Sequence, residues 1–256
     1  MKNISLFCWN IANPSSNRAA KQAGWLRKRP EDFLVLTEAK RSEGCFFLKR
    51  YFETCGYYVI FPKIEGREYG TMIVSKHPLA ESLFSNFIDF LPSRVVAVTI
   101  ALPGGILEII GLYVPSRDAN AEKIKRKKRF LENVVQALRN APLPNFRIVC
   151  GDFNILEPDH VPHYPFFEKW EYAFYRNLMS YRMRDVFRHV NPSLQEYSWI
   201  GRTGDGYRYD HCFVSENILH GVKKCFYFHE PREKRLSDHS AIIVELSFTE
   251  KASKSL

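Results

Sequence analysis

The chain contains no apolar run near the roughly 20 residues that a membrane span requires, so it encodes no helical anchor. Its six cysteines (Cys8, Cys45, Cys55, Cys150, Cys212, Cys225) form no CxxC pair and no finger spacing, which argues against a zinc ribbon or a redox dithiol. Several lie inside apolar runs such as RIVC and HCFV, as free buried thiols do in a reducing cytoplasm. The opening MKNISLFCWNIANPSS reaches Asn10 before any apolar stretch long enough for a secretory signal, so a cytoplasmic protein is expected. There is no GxxxxGK[ST] loop, no GxSxG elbow and no HExxH helix, and the chemistries that depend on them lose support. No Gly/Ser linker, repeat or low-complexity stretch divides the chain. Acid is in deficit: 28 Asp and Glu stand against 37 Lys and Arg, for a net charge of +9. That balance suits a polyanionic partner, nucleic acid first and an acidic membrane surface second.

What is present is a core. With 256 residues, 45% of them hydrophobic, the chain can bury a large interior without staples, and its 25% charge is ordinary for a folded protein. Segments rich in β-branched and aromatic residues, bounded by Gly, Pro, Asn or Asp, predict strands at 4–9, 33–37, 57–61, 71–75, 95–101, 107–114, 147–151, 208–214, 223–228 and 241–246. Gly104-Gly105 marks a hairpin turn between two of them. Helices are predicted from after Asp118 to about Arg139, at 17–29 with Pro30 as its stop, at 46–54 and at 170–181. Many strands and few helices imply an α/β fold in which sheet packs on sheet with helices outside, in one domain over 1–248 with a polar tail at 249–256.

Several strand segments end in acids or amides. FCW runs into Asn10, LVLT into Glu38, RIVCG into Asp152-Phe-Asn154, and LS into Asp238-His239 before AIIVEL, while Asp210 leads into HCFVS. Such groups at the edge of buried strands are costly unless something compensates, and five of them suggest convergence on one site. Asp152 and Asn154, two apart, project from the same side of an extended chain. An acid can take a proton from water while an amide holds that water or a ligand oxygen. Glu38 and Asn10 offer oxygen ligands suited to Mg²⁺ or Mn²⁺. His239 can bind or protonate a phosphoryl oxygen, and an acid behind it would keep it charged. The set points to phosphoryl transfer.

The blocks CWNIAN, LTEAK, GLYVPS, GDFN, GYRYDHCFVS and SDHSAII resemble, in order and over nearly the whole chain, the endonuclease/exonuclease/phosphatase superfamily. YVP at Tyr113, together with MRDVFRHVNP and YSW, is similar to its exonuclease III and abasic-site endonuclease branch. The resemblance implies a four-layer, deoxyribonuclease I-like fold: a two-sheet β-sandwich flanked by helices, with the site at one end of the sheets. It implies Glu38 as principal metal ligand with Asn10 beside it, and Asp152 as the group that orients or deprotonates water. Asn154 and Tyr113 would hold the scissile phosphate. Asp238 would buttress His239 or lie near the metal, and Asp210 would sit by the leaving group. Two positions depart from the branch: Ala12 stands where a second amide or acid is usual, and Ser116 where an amide would contact phosphate. Trp199, Tyr207 and Tyr209 still supply aromatic surface, and Arg117, Arg202 and Arg208, beside the motifs, are candidate phosphate contacts.

The function expected is a Mg²⁺- or Mn²⁺-dependent phosphodiesterase that hydrolyses duplex DNA by in-line water attack, a 3′-exonuclease with scope for abasic-site incision and no obligate protein partner. One alternative keeps the site but changes the substrate to a small phosphoester, a phosphoinositide or RNA. A non-enzymatic alternative is a DNA-binding scaffold with a relict site. The basic run Lys123, Lys125–Arg129 fits a solvated helix face better than a DNA grip. The His160–His163 pair has no further ligand pattern and is assigned to a loop, and Cys150 and Cys212 to the core.

Overall fold

The computed structural model describes residues 2–102 and 104–248; the polar tail anticipated at 249–256 lies outside them. Fourteen strands follow in chain order: β1 (Lys2–Asn10), β2 (Phe33–Lys40), β3 (Tyr58–Ile60), β4 (Tyr69–Ser75), β5 (Ala80–Glu81), β6 (Val95–Leu102), β7 (Gly105–Tyr113), β8 (Phe146–Asp152), β9 (Met183–Asp185), β10 (Trp199–Ile200), β11 (Gly206–Tyr207), β12 (Asp210–Ser215), β13 (Val222–Phe228) and β14 (Ala241–Phe248). They form one six-stranded sheet in the order β13-β14-β1-β2-β4-β3, a second in the order β5-β6-β7-β8-β12-β9, and a small β10–β11 hairpin. The ten predicted segments are all strands. The unpredicted ones have only two or three residues, too few for a period of two to register.

The sheets face each other across an apolar core. Ile4, Leu6 and Cys8 of β1 meet Leu107 and Ile109 of β7, Ile148 and Cys150 of β8, and Cys212 and Val214 of β12. The alternate residues point outward under helices. Phe7 and Trp9 pack beneath α1 (Ser16–Leu26) and α2 (Glu43–Thr54), while Ile110, Leu112 and Val149 pack beneath α3 (Ala121–Asn140) and α4 (Lys169–Ser180). This helix–sheet–sheet–helix order is the expected four-layer α/β fold. Three of these helices start where a polar side chain takes an orphan N–H: Ser15 for α1, Ser42 for α2 and Asn120 for α3. The first helix ends at Leu26, four residues before Pro30, so the proline follows its end without setting it.

Candidate active site

The inward rows of four strands, β1, β7, β8 and β12, end in polar groups at the same edge of the sandwich, the β7 row running from Leu107 and Ile109 to Tyr113. Beyond Ile4, Leu6 and Cys8 the β1 row ends at Asn10; on β8, Ile148 and Cys150 lead to Asp152; on β12, Val214 and Cys212 lead back to Asp210. Pairing aligns them, with Tyr113 opposite Asp152 across β7–β8 and Asp152 opposite Asp210 across β8–β12. The close fit depends on Gly151, whose φ is +151° and where any Cβ would come 1.8 Å from the Leu112 carbonyl oxygen. Glu38 arrives from the other sheet, where β2 and β4 slip register between Leu36 and Ala39. Its φ of +56° is costly for a glutamate, and Asn154 follows at +48°.

The amide nitrogen of Asn10 donates to both Glu38 Oε2 (2.9 Å) and Asp152 Oδ2 (2.8 Å). Asp152 Oδ1 accepts the Asn154 N–H at 2.8 Å, and the Asn154 amide nitrogen reaches the Val114 carbonyl at 3.0 Å. On the facing side, His239 Nδ1 bonds Asp210 Oδ2 at 2.7 Å, and its Nε2 lies 4.0 Å from Asp152 Oδ2. Asn10, Asp152, Asp210 and His239 are all buried. Burial and then the Asp210 charge push the Asp152 carboxyl up, against the opposing pull of His239. Burial would lower His239, but the hydrogen-bonded Asp210 carboxylate, with Asp152 near, raises it to about 10, so the ring is an imidazolium at neutral pH. Burial, then the Glu38 and Asp152 charges, keep the Tyr113 phenol protonated.

These residues open onto a cleft of about 480 Å³. Glu38, Tyr113, Asp152, Asn154, His239, Ser116, Arg117 and Trp199, all singled out from sequence, line it. Four expectations need correction. Asp210, not Asp238, buttresses His239; Asp238 is exposed and accepts the Trp199 indole N–H at 3.0 Å, so it belongs neither to the histidine pair nor to the buried acid cluster. Asn10 spends its oxygen on the Ala12 N–H (2.8 Å) and turns nitrogen toward the acids, so it arranges carboxylates and offers no oxygen among them. Arg208 is fully buried against Glu157 (3.0 and 2.6 Å) and Asp185 (2.6 Å) and is a strut beneath the site, not a phosphate contact. Arg117 lines the cleft, but its guanidinium is taken by Glu171 Oε2 (2.5 Å) and the Phe166 carbonyl (2.7 Å).

Arg202 is exposed in the β10–β11 turn, outside the cleft lining, and Tyr207 stacks behind the wall on Tyr209 at 5.2 Å and Tyr164 at 4.4 Å. His160 is buried between the Pro162 carbonyl (2.9 Å) and the Arg208 N–H (3.3 Å), apart from the exposed His163, as a loop pair should be. Sequence reasoning missed Tyr69, Arg94, Phe166, Phe167 and the individual role of Lys127. Lys127 carried a signal. It falls on the stripe of α3 that includes Phe130, Leu131, Val134 and Leu138, where an unpaired lysine would be costly. Of the basic run, Lys123, Arg126 and the buried Lys127 line the cleft, and Lys125 and Lys128 face solvent.

The donors suit a hard divalent cation. Asp152 and Asp210 bring carboxylate oxygens within 4.8 Å of each other, both buried, with the His239 ring beside them. Asp210 Oδ1 is buried with no hydrogen-bond partner, and Glu38 spends only one oxygen, among the described residues. Glu38, Asp152 and Asp210 set three carboxylates against the one imidazolium of His239, and that excess of confined negative charge is stabilised by a cation of the Mg²⁺ or Mn²⁺ class.

Comparison with known proteins gives the same frame. Residues 7–239 match the Endonuclease/Exonuclease/phosphatase family. An exodeoxyribonuclease III from Haemophilus influenzae is 24% identical over 219 residues, 75% of this chain and 81% of that protein. An AP endonuclease from Archaeoglobus fulgidus superposes with a TM-score of 0.80 at 23% identity, covering 96% of this chain and 100% of its own. A 3′ phosphatase from Neisseria, solved with a product DNA hairpin, superposes with a TM-score of 0.79 at 24% identity, with the same coverages of 96% and 100%. Among the described residues, no helix is long and apolar enough to cross a membrane.

Proposed function

The chain belongs to the endonuclease/exonuclease/phosphatase family, and from that membership we propose that it hydrolyses phosphoester bonds of DNA, as the exodeoxyribonuclease III it resembles does by name. The observation that carries the reading is the pair of facing groups on the cleft floor: a buried, proton-accepting Asp152 and an Asp210-charged His239, 4.0 Å apart. Groups this close can act side by side, the carboxylate taking a proton from a water and the imidazolium meeting developing negative charge on a neighbouring phosphoryl oxygen.

Each residue then has a task. Asp152, its carboxyl raised toward neutrality and its oxygens fixed by Asn10 and the Asn154 N–H, accepts the proton of the attacking water. His239 directs its protonated Nε2 at a non-bridging phosphoryl oxygen, and Asp210 keeps that proton in place. Asn154 uses one amide hydrogen on Val114 and keeps the second for the phosphate, and the Tyr113 hydroxyl adds another donor. Glu38, through the carboxylate oxygen that Asn10 leaves free, would hold a Mg²⁺ or Mn²⁺ ion beside Asp152 and Asp210, and when bound the ion would supply Lewis-acid neutralisation of the phosphate charge. The aromatic faces of Phe166, Phe167, Trp199 and Tyr209 suit a sugar or base beside the scissile bond. The net charge of +9 supports a duplex as partner, and six free thiols support a cytoplasmic setting.

The test uses purified protein with Mg²⁺ or Mn²⁺ and labelled blunt, nicked and abasic duplexes, with Asp152→Asn alongside. Wild-type turnover with a loss of about 10³-fold or more in the variant, binding retained, is the expected result. Incision 5′ to the lesion far above blunt-end digestion would assign abasic-site repair, and release from 3′ ends alone an exonuclease. Near-wild-type turnover by the variant would overturn the mechanism. Silence on all three duplexes would transfer the site to RNA or small phosphoesters.

A further inference from the structure

Within the cleft wall, three charged side chains from separate parts of the chain meet out of water. Glu171, at the start of α4, is wholly buried and accepts from Lys127 Nζ at 2.6 Å and from Arg117 Nη2 at 2.5 Å, while also taking the Glu168 N–H at 3.0 Å. Lys127 is 1% exposed, and its ammonium makes a second bond, at 2.7 Å, to the backbone carbonyl of Asn154. Arg117 in turn bonds the Phe166 carbonyl at 2.7 Å and lies 4.3 Å over the Phe166 ring. We propose that Lys127 is a positioning residue: anchored by Glu171, it holds the Asn154 turn so that the Asn154 amide meets the substrate phosphate, and the same carboxylate, through Arg117, fixes the aromatic wall of the cleft. This inference rests on the role given to Asn154 above.

A purely structural ion pair needs only two partners. Here the lysine's second bond ends on the backbone of a site residue whose φ is +48°, a conformation that must be held from outside. The other bonds on Asn154 run to Asp152 Oδ1 and the Val114 carbonyl, both within the site itself. Lys127 is the contact that ties the turn to the helical layer. Without it the Asn154 carbonyl loses a charged donor, the turn relaxes, and the amide leaves its place. Misplacement of a phosphate-holding group by about 1 Å costs on the order of 100-fold in rate.

The experiment is a double-mutant cycle on the metal-loaded enzyme with a labelled duplex, comparing wild type, Lys127→Met, Asn154→Ala and the double variant in kcat and KM. Lys127→Met is expected to lose about 10- to 100-fold in kcat with KM changed less than about threefold. In the Asn154→Ala background the same change is expected to cost no more than about threefold, because both act through one amide. Losses that multiply, or a kcat unchanged once corrected for folded fraction, would overturn the proposal. If Lys127→Met does not fold, Glu171→Gln, which keeps shape and removes the anchoring charge, is put through the same cycle with the same criteria. A wild-type kcat for Asn154→Ala would instead remove the assignment of Asn154, and with it the premise, which separates that failure from a failure of Lys127.

Discussion

Replacing Arg208 by Met separates a strut from a substrate contact. The guanidinium is fully buried, gives two bonds to Glu157 and one to Asp185, and the Arg208 chain bridges β11 to β12 two residues before Asp210. Removing it leaves Glu157 with Arg188 (2.6 and 2.5 Å), and leaves Asp185 with the Tyr175 hydroxyl at 2.8 Å and the Arg188 N–H at 3.1 Å. Breaking a buried pair by deleting one partner costs roughly 3–5 kcal/mol. Because both acids keep other donors, the lower end is expected, about 3 kcal/mol, or roughly 6–12 °C in Tm for a chain of this size. Scanning calorimetry and denaturant titration measure the loss. Duplex hydrolysis at a temperature where the variant is folded should then show kcat/KM within about threefold of wild type. A Tm within about 2 °C of wild type combined with a tenfold fall in kcat/KM would refute the reasoning, because Arg208 would then act on substrate.

Three further outcomes follow from the site and its supports. Asp210→Asn removes the charge that raises His239 to about 10, so the ring falls back toward 6.5 or below; since the charged form is the working one, the pH–rate profile should show a loss of about 100-fold at pH 8.5 and a much smaller one at pH 6. Glu157, which burial would raise, is carried down from 4.5 to about 2 by Arg188 and Arg208; a depressed carboxyl stabilises the fold above its unfolded pKa and loses that contribution as pH falls toward the folded one, so stability should drop by about 3 kcal/mol between pH 4.5 and 2, and the gap between wild type and Glu157→Gln should close over that range. Chelation should abolish turnover and added Mg²⁺ restore it, with circular dichroism unchanged throughout; activity that survives exhaustive chelation would contradict the donor set.

Much of the site was legible because it obeys the period of two. Asn10, Asp152 and Asp210 sit in the inward phase of strands whose other inward residues are Leu6 and Cys8, Ile148 and Cys150, and Cys212 and Val214, so the side of the strand each faces follows from sequence once the strands are recognised. Their partners are another matter. Nothing in SDHS says which acid faces the imidazole: Asp238 is adjacent in sequence, yet the next residue in an extended chain points away, and Asp210 on a different strand reaches Nδ1. Arg208 had the look of a phosphate contact because it lies beside the site motifs, two residues before Asp210. Its burial is visible only when Glu157 and Asp185 arrive from 51 and 23 residues away.

The sequence by itself determined the longer strands, the longer helices and the residue types that end the inward rows, since each depends on neighbours within a few positions. Only the tertiary structure decided which rows share an edge, which carboxylate charges His239, and which cations are spent on Glu157 and Glu171 before any phosphate can meet them. Hydrogen bonds and buried charges are settled at about 3 Å between residues 20 to 230 apart, a scale that local pattern does not encode.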